Sequence, residues 1–275
     1  MQKYSGKNIT IKFGGAAMGE ENLSLSFAKN IVLLKQVGIN PLVVHGGGPR
    51  IKTMLDRLKV KSSFVDGLRI TDKETMNIVE MVLSGSINKE IVMEINKEGG
   101  RAIGLSGKDG LLAQTTKLKK KRIAKSEVEK LLDLGFVGIP NKINSDFLNW
   151  LLKSDFIPVI SPIGYGKNFE TFNINADTMA GSVASAILSE RLVLLTDVKG
   201  VHDKKGNLLT QISVNEAGKL IRNGTISGGM IPKVQTCIEA VKNGVKAAVI
   251  LDGKLPHSIL LEIFTEHGVG TLITN

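Results

Sequence analysis

Residues 8–15 read Asn-Ile-Thr-Ile-Lys-Phe-Gly-Gly, and residues 41–50 read Pro-Leu-Val-Val-His-Gly-Gly-Gly-Pro-Arg. In each stretch a short apolar run with β-branched residues leads directly into adjacent glycines, which is typical of a buried strand that turns into a helix. Open α/β sheets bind ligands beyond the carboxyl ends of their strands, where both glycine turns would lie. These two stretches therefore predict the fold class and the edge of the sheet at which to look for a site.

Similar apolar runs recur along the chain and alternate with stretches that have apolar residues at helical spacing. The predicted strands span residues 8–13, 41–45, 101–105, 156–160, 192–196 and 247–251. The predicted helices span residues 21–37, 71–83, 177–188, 214–222 and 233–242. This alternation predicts an α/β fold, a three-layer αβα sandwich with a mainly parallel central sheet.

The chain has 275 residues and shows no internal repeat, low-complexity tract or long linker between independent domains. We therefore expect two lobes that share one sheet, an N-terminal lobe over residues 1–189 and a C-terminal lobe over residues 190–275. Residues 62–70 and 111–137 interrupt the alternation with short extended pieces and turns. They are predicted to be hairpins added to the scaffold.

The composition argues against a nucleic-acid-binding protein. Aromatic residues make up only 4% of the chain, which leaves few side chains on which bases could stack. The formal net charge is +10, but net charge governs solubility and encounter more than function. The densest basic run comprises Lys117, Lys119, Lys120, Lys121, Arg122 and Lys125. It is predicted to form a solvated, projecting segment.

We expect a soluble, cytoplasmic protein. Cys237 is the single cysteine, so no intrachain disulfide can form, and its expected role is that of a small buried side chain. No run of about 18 consecutive apolar residues predicts a membrane span. The first residues also lack the apolar segment of a secretory signal.

Both glycine turns are suited to bind phosphate, because adjacent glycines let backbone N–H groups approach an anion and a helix N-terminus favours its charge. In the first turn, Gly14 and Gly15 follow Lys12 at the end of an apolar strand. Neither turn matches the P-loop or the dinucleotide-binding fingerprint. A dehydrogenase is therefore disfavoured.

Two further stretches carry polar residues that would act with Lys12. Residues 171–178 read Thr-Phe-Asn-Ile-Asn-Ala-Asp-Thr, a predicted polar turn before a helix of small residues, and include Asp177. Residues 228–233 read Gly-Gly-Met-Ile-Pro-Lys and end in Lys233. Two ammonium groups, backbone donors and a carboxylate that orients the lysines are the groups needed for phosphoryl transfer without a covalent intermediate.

The motifs of the chain resemble those of the amino-acid kinase family nearly from end to end. They are Lys12-Phe-Gly-Gly, His45-Gly-Gly-Gly-Pro, Asp66-Gly-Leu-Arg69, Gly104-Leu-Ser-Gly-Lys-Asp-Gly110, Asn173-Ile-Asn-Ala-Asp177 and Gly228-Gly-Met-Ile-Pro-Lys233, in family order and spacing. The resemblance implies the amino-acid kinase fold. It also implies an enzyme of arginine biosynthesis that uses ATP with Mg²⁺ to phosphorylate the side-chain carboxylate of N-acetyl-L-glutamate.

The resemblance further implies roles for individual residues. Lys12 and Lys233 would stabilise the transition state, and Asp177 would hold both lysines in place. The backbone N–H groups of Gly14, Gly15 and Gly47 would donate to the phosphoryl group. The residues that would hold the acceptor are Gly47, Gly48, Arg69 and Asn173. Thr196 and Asp197 would border ATP. Because Mg²⁺ keeps its waters and binds the phosphates, no metal-binding residue is assigned.

We expect a homodimer or a higher homo-oligomer, and two other functions stay open. One is a sister kinase that phosphorylates aminoadipate on a small acidic carrier protein, although Asp66-Gly-Leu-Arg69 favours N-acetyl-L-glutamate. The other is an inactive kinase scaffold with a regulatory or nucleic-acid-binding role, which the net charge would suit. The presence of Lys12, Asp177 and Lys233 argues against that second alternative.

Overall fold

The computed structural model describes residues 4–18, 21–65, 67–123, 129–265 and 268–275. Its strands are β1 (Asn8–Phe13), β2 (Asn40–His45), β3 (Phe64–Val65), β4 (Leu68–Arg69), β5 (Ala102–Ser106), β6 (Ala113–Ile123), β7 (Glu129–Ile143), β8 (Ile157–Ser161), β9 (Ile163–Tyr165), β10 (Thr171–Ile174), β11 (Arg191–Thr196), β12 (Gln211–Ser213), β13 (Ala247–Asp252) and β14 (Thr271–Thr274). Its α-helices are α1 (Glu21–Gln36), α2 (Gly48–Arg57), α3 (Lys73–Glu80), α4 (Asn88–Lys97), α5 (Ser145–Lys153), α6 (Ala176–Ala186), α7 (Val214–Arg222), α8 (Met230–Lys242) and α9 (Ser258–Phe264). A π-helix (Met81–Ile87) joins α3 to α4, and 3₁₀ turns cover Gly15–Met18 and Asp109–Leu111.

Within the described residues, a central eight-stranded sheet has the order β12-β14-β13-β11-β1-β2-β8-β5. Neighbouring strands run parallel except β13 and β14, which pair antiparallel. The six strands predicted from apolar runs are β1, β2, β5, β8, β11 and β13, and all of them lie in this sheet within one residue of the predicted bounds. The predicted α/β fold with a mainly parallel sheet is confirmed.

The central sheet is buried on both faces, because alternate residues of each strand pack into different cores. Ile9 and Ile11 of β1 belong to a core with α1, α3, α4 and α9. Leu42 and Val44 of β2 belong to a second core with α5, α6, α7 and α8. Helices therefore cover both faces, which confirms the predicted three-layer sandwich.

Strands β1 and β2 are neighbours, so both glycine turns leave the sheet at the same edge. Lys12 pairs with Val44 in the register, and Phe13 pairs with His45. The backbone N–H of Gly46 donates a 2.8 Å hydrogen bond to the carbonyl of Phe13, which joins the start of one turn to the other. Since α6 packs against β1, its first turn reaches the same edge.

A second, closed sheet contains β6, β7, β9 and β10. The hairpin predicted over residues 111–137 is confirmed, but β6 and β7 are long strands where short extended pieces were expected. Residues 171–174 of the expected polar turn form β10, because they pair with β7 on one side and with β9 on the other. The hairpin predicted within residues 62–70 is confirmed as β3 and β4.

Helical periodicity found α1, α3, α6, α7 and α8 but missed α2, α4, α5 and α9. Helix α2 begins at Gly48 and Pro49, residues of low helix propensity in a helix interior, although proline is favoured in the first turn. The helix predicted over residues 71–83 continues as the π-helix to Ile87 and runs into α4. Its end was placed too early because Gly85 interrupts the apolar pattern.

The basic run lies on the β6–β7 hairpin. Lys117 is exposed and pairs with the exposed Asp133 at 2.8 Å, as expected for a solvated segment. Lys125 lies outside the described residues. Cys237 is buried, as predicted. None of the helices described has both the length and the apolar character needed to cross a membrane.

Candidate active site

Three charged side chains from separate elements meet at the carboxyl edge of the central sheet. Lys12 lies in β1, Asp177 in the first turn of α6, and Lys233 in the first turn of α8. The Nζ atom of Lys12 lies 3.1 Å from Asp177 Oδ1 as an ion pair, and Lys233 Nζ donates a 2.8 Å hydrogen bond to Asp177 Oδ2. The structure therefore brings together the three residues that the sequence analysis singled out for the chemistry.

Asp177 is free to face the lysines because a neighbour caps its helix. Asn175 is the N-cap of α6, and its Oδ1 accepts hydrogen bonds from the backbone N–H groups of Asp177, at 2.9 Å, and Thr178, at 3.1 Å. The positive end of the helix dipole also favours a carboxylate in the first turn. Asn175 had no predicted role, although an asparagine before a helical pattern is a recognised N-cap signal.

Burial and mutual charge set the protonation of this cluster. Lys12 and Asp177 are each 7% exposed. Burial alone would raise the pKa of Asp177, but the charges of Lys12 and Lys233 outweigh it and the pKa is lowered. Burial lowers the pKa of Lys12; Asp177 opposes this effect and Lys233 adds to it. Two cations around one carboxylate leave a net positive charge, which suits a phosphoryl group.

The two glycine turns lie next to this cluster. Gly47 is the N-cap of α2, and no described side chain caps the first backbone N–H groups of that helix, so they can donate to an anion. A Cβ atom on Gly14 would lie 3.0 Å from Lys12 Nζ, and one on Gly47 would lie 2.5 Å from Ile87 Cδ1. Gly15 has a φ of 69°, in the left-handed region. Close packing favours glycine at the first two positions, and backbone conformation favours it at the third.

A cavity of about 320 Å³ opens beside the glycine turns and beneath the β3–β4 hairpin. The predicted site residues that line it are Lys12, Gly15, Gly47, Gly48, Arg69, Asn173, Asp177 and Lys233. Apolar side chains, among them Phe64 and Val137, form another part of the wall. Asp66, which shares a sequence motif with Arg69, lies outside the described residues. The volume suits a small metabolite.

Two predicted acceptor-binding side chains enter this cavity from different elements. Arg69 of β4 donates hydrogen bonds to Ser62 Oγ and, at 3.3 Å, to the carbonyl of Gly48, which ties the hairpin to the second glycine turn. Asn173 of β10 donates from Nδ2 to Thr71 Oγ1 at 3.3 Å. A guanidinium and an amide therefore line the same cavity, which suits a ligand with a carboxylate and an amide carbonyl.

Thr196 and Asp197 lie at the carboxyl end of β11 and are not among the residues that line the cavity. The Thr196 hydroxyl donates a 3.1 Å hydrogen bond to Asp197 Oδ1. The backbone N–H of Asp197 itself lowers the pKa of its carboxyl, and the Thr196 hydroxyl and, more weakly, the charge of Lys233 act in the same direction. The charge of Lys233 therefore acts on Asp197, although neither Thr196 nor Asp197 lines the cavity.

The structure also gives a role to His45, which the sequence analysis left unassigned. Its Nδ1 lies 2.9 Å from the carbonyl of Gly46, and its Nε2 lies 3.2 Å from Asn88 Nδ2. The same Nδ2 donates a 2.9 Å hydrogen bond to the carbonyl of Val159, which orients the amide, so we assign the ring proton to Nδ1. Burial lowers the pKa of His45 to about 4. His45 is therefore a neutral side chain that anchors the second glycine turn; no sequence spacing links it to Asn88.

Comparison with known proteins shows the family to which this chain belongs. A sequence model described as the amino acid kinase family matches residues 7–252. The chain belongs to the amino acid kinase family, and the resemblance seen in its motifs is confirmed.

The chain is also similar to individual proteins of known name and to solved structures. The chain is 58% identical over 274 residues to acetylglutamate kinase of Rhodospirillum centenum. The aligned region covers 99% of this chain and 90% of that relative. The chain is 57% identical to acetylglutamate kinase of Gluconobacter oxydans, with coverage of 99% and 93%. Among solved structures, N-acetylglutamate synthase from Neisseria gonorrhoeae complexed with coenzyme A and N-acetyl-glutamate matches with a TM-score of 0.86 and 22% identity. That match covers 100% of this chain but only 61% of the synthase, and it shows a shared fold alone.

Proposed function

We propose that this chain is an ATP-dependent kinase that phosphorylates the side-chain carboxylate of N-acetyl-L-glutamate to N-acetyl-L-glutamyl 5-phosphate, in arginine biosynthesis. The observation that carries the proposal is the cluster of Lys12, Asp177 and Lys233 beside two glycine turns and a cavity that contains Arg69. Relatives of 57–58% identity over nearly the whole chain are acetylglutamate kinases and support this acceptor. They do not favour a carrier-linked aminoadipate kinase or an inactive scaffold.

The proposed reaction needs positive charge more than it needs proton transfer. The bond between the γ-phosphorus and the oxygen that bridges to the β-phosphate breaks, and an oxygen of the acceptor carboxylate forms the new P–O bond. Because the acceptor is already ionised, no general base is required. Negative charge on the transferred phosphoryl group would be stabilised by Lys12 and Lys233, while Asp177 holds these two like charges together and fixes their direction.

The acceptor would lie in the cavity with its α-carboxylate on Arg69. A guanidinium presents paired N–H donors that match a carboxylate, and Arg69 keeps its charge at any ordinary pH. Asn173 would hold the other end of the acceptor. Gly47 and Gly48, at the start of α2, would donate backbone N–H groups to the acceptor, and Gly47 also to the phosphoryl group.

We assign ATP to the side of the sheet edge formed by residues 190–275, where Thr196 and Asp197 would border the nucleotide. The division into lobes over residues 1–189 and 190–275 is part of this proposal. Among the described residues, no group of three or more His, Cys, Asp or Glu side chains is arranged to hold a metal ion. We propose that a Mg²⁺ ion would be held mainly by phosphate oxygens and water, and that it would add positive charge at the phosphates.

A homodimer is the assembly that we propose. Among the described residues, strand β5 is the last strand at one end of the central sheet. Met81, 61% exposed, and Met93, 54% exposed, lie on the helical segment that packs against β5. A second copy of the chain would cover this apolar edge. Light scattering during size-exclusion chromatography should give the mass of two chains, and the mass of one chain would overturn this assembly.

Steady-state ADP release by the purified protein tests the proposed reaction. The assay compares N-acetyl-L-glutamate, L-glutamate, L-aspartate and no acceptor, each with Mg-ATP. We expect turnover with N-acetyl-L-glutamate alone, because only this acceptor fills the cavity with both an amide carbonyl and an α-carboxylate. Absence of turnover with every acceptor would contradict the proposal and favour a carrier-linked acceptor or an inactive scaffold.

A further inference from the structure

Phe64 is an aromatic residue to which neither the proposed chemistry nor the fold assigns a role. Its side chain lines the cavity but is 54% exposed, an unusual state for a phenylalanine. In the β3–β4 hairpin Phe64 is paired directly with Arg69 across the two strands. The Cζ atom of Arg69 lies 4.5 Å from the centroid of the Phe64 ring, within the range of a cation–π contact.

Within the part of the chain that the structure describes, the other hydrogen-bond partners of Arg69 are uncharged groups. Arg69 is 6% exposed and donates to Ser62 Oγ and to the carbonyl of Gly48. Among the described residues, no carboxylate lies within ion-pair distance of its guanidinium. Burial lowers the pKa of Arg69, and Asp56 opposes this only at a distance. A buried cation without a bound counter-ion is costly, so contacts that stabilise it without neutralising it matter.

A ring face stabilises a cation and still leaves its charge available. A carboxylate partner would hold Arg69 equally well but would compete with an anionic ligand for the same N–H donors. The Cζ atom of Arg69 lies over the face of the Phe64 ring, while Ser62 Oγ and the Gly48 carbonyl accept hydrogen bonds from individual N–H groups. Arg69 lines the cavity, so its remaining N–H groups would serve a ligand there.

We propose that Phe64 is a positioning residue for acceptor binding, which holds the Arg69 guanidinium in the plane that receives the α-carboxylate. This inference rests on the proposed function. Pre-organisation of this kind acts on binding of the acceptor and not on the transfer step.

Three substitutions of Phe64 distinguish the effect of the aromatic ring on acceptor binding from the effect of side-chain size. Phe64→Leu keeps an apolar side chain but removes the π face, and we expect KM for N-acetyl-L-glutamate to rise about ten-fold with kcat and KM for ATP nearly unchanged. Phe64→Tyr and Phe64→Trp keep the π face, so each variant should keep a KM for N-acetyl-L-glutamate close to that of the wild type. Phe169→Leu is the matched control, since Phe169 is 72% exposed, stacks on Tyr165 and does not line the cavity.

A double-mutant cycle tests whether Phe64 acts through Arg69. In an Arg69→Met background the ring has no cation to position, so adding Phe64→Leu should leave kcat/KM for N-acetyl-L-glutamate, taken from initial slopes, unchanged. An equal loss from Phe64→Leu in both backgrounds, an unchanged KM in Phe64→Leu, or a raised KM in Phe64→Tyr would each overturn the inference. A wild-type enzyme without turnover would instead refute the proposed function, so the two failures are distinguishable.

Discussion

Lys233 and Asp177, 56 residues apart in the chain, are joined by a 2.8 Å hydrogen bond from Lys233 Nζ to Asp177 Oδ2. Each residue lies in the first turn of its helix, and the two helices, α6 and α8, pack against each other. Lys12 reaches the second carboxylate oxygen from β1. The positions of all three charges are therefore set by packed elements of the scaffold, which is how a site keeps its donors aimed at developing charge.

Removal of either lysine should abolish most of the activity and leave the fold intact. Lys12→Ala and Lys233→Ala each remove one cation from the transferred phosphoryl group, and we expect turnover to fall by about two to three orders of magnitude. Lys242→Ala, which changes an exposed lysine in the last turn of the same helix α8, is the control and should keep wild-type turnover. Circular dichroism checks the fold. Near-normal turnover in both site variants would refute the paired-lysine mechanism.

Asp177→Asn should shift the pH dependence of the remaining activity to lower pH. The Asp177 carboxylate raises the pKa of Lys12 against the effects of burial and of Lys233. Without that carboxylate the ammonium loses its proton at a lower pH, and the alkaline limb of the kcat/KM profile moves in the acid direction. In the wild type this limb should already lie below the ordinary lysine value of about 10.4.

The matched control for that experiment is Asp203→Asn. Asp203 is half-buried in a turn where its carboxylate accepts hydrogen bonds from Asn207, so the profile of this variant should superimpose on the wild type apart from any small loss of stability. An alkaline limb that stays in place in Asp177→Asn, or that moves to higher pH, is incompatible with the proposed electrostatics of the cluster.

The chain should lose stability as the pH falls from about 6.5, the ordinary pKa of histidine in an unfolded chain, to about 4. Burial lowers the pKa of His45 to about 4. Across this pH interval His45 is therefore protonated in the unfolded state but stays neutral in the folded state. The loss should approach about 3 kcal/mol of unfolding free energy at the acid end.

Urea unfolding at fixed protein concentration, repeated across this pH interval, measures that loss. His45→Asn is the comparison variant: it should be less stable than the wild type near neutral pH, because the anchor between Gly46 and Asn88 is broken. Its stability should nevertheless depend less steeply on pH. The same slope in both proteins would show that another group is responsible.

The central sheet could be predicted from the sequence because its strands are buried on both faces. Strands of this kind have continuous apolar sequences rich in β-branched residues. Two of them, which end at Phe13 and His45, are followed by glycine turns, and these turns also indicated the edge of the sheet where the site lies. The second sheet could not be predicted in the same way. Thr171–Ile174 alternates polar and apolar residues over only four positions, and its place depends on pairing with distant β7 and β9, which no local pattern encodes.

The site was predictable in part for the same reason. Lys12, Asp177 and Lys233 each belong to a short motif with a local signal, and the family order of the motifs linked them. The residues that hold the site in place carry no such signal. Asn88 contacts His45 across helix and strand, and the contact between Phe64 and Arg69 exists only once the β3–β4 hairpin has formed. Supporting contacts of this kind depend on topology.

The last prediction concerns the π-helix and the second glycine turn. Gly47 has a φ of 167°, extended backbone that any residue adopts, so a substitution there meets a packing limit and not a conformational one. An added Cβ atom would lie 2.5 Å from Ile87 Cδ1 and 2.7 Å from Leu83 Cδ2, both side-chain ends on the π-helix. Either these side chains move or the turn shifts away from the phosphoryl group. We expect Gly47→Ala to lower kcat about ten-fold or more with little loss of stability, because misplaced backbone donors are costly to catalysis.

Ile87→Val provides the decisive test, since it deletes the Cδ1 methyl group that the new Cβ atom would meet first. The double variant Gly47→Ala, Ile87→Val should therefore recover a measurable part of kcat, while Ile87→Val alone should change kcat little. Gly218→Ala, inside α7 with 3.4 Å to its nearest neighbour, controls for a generic glycine effect and should keep wild-type kcat. If the double variant is no faster than Gly47→Ala, contact with the π-helix does not position the glycine turn, and the loss must come from the backbone of the turn itself.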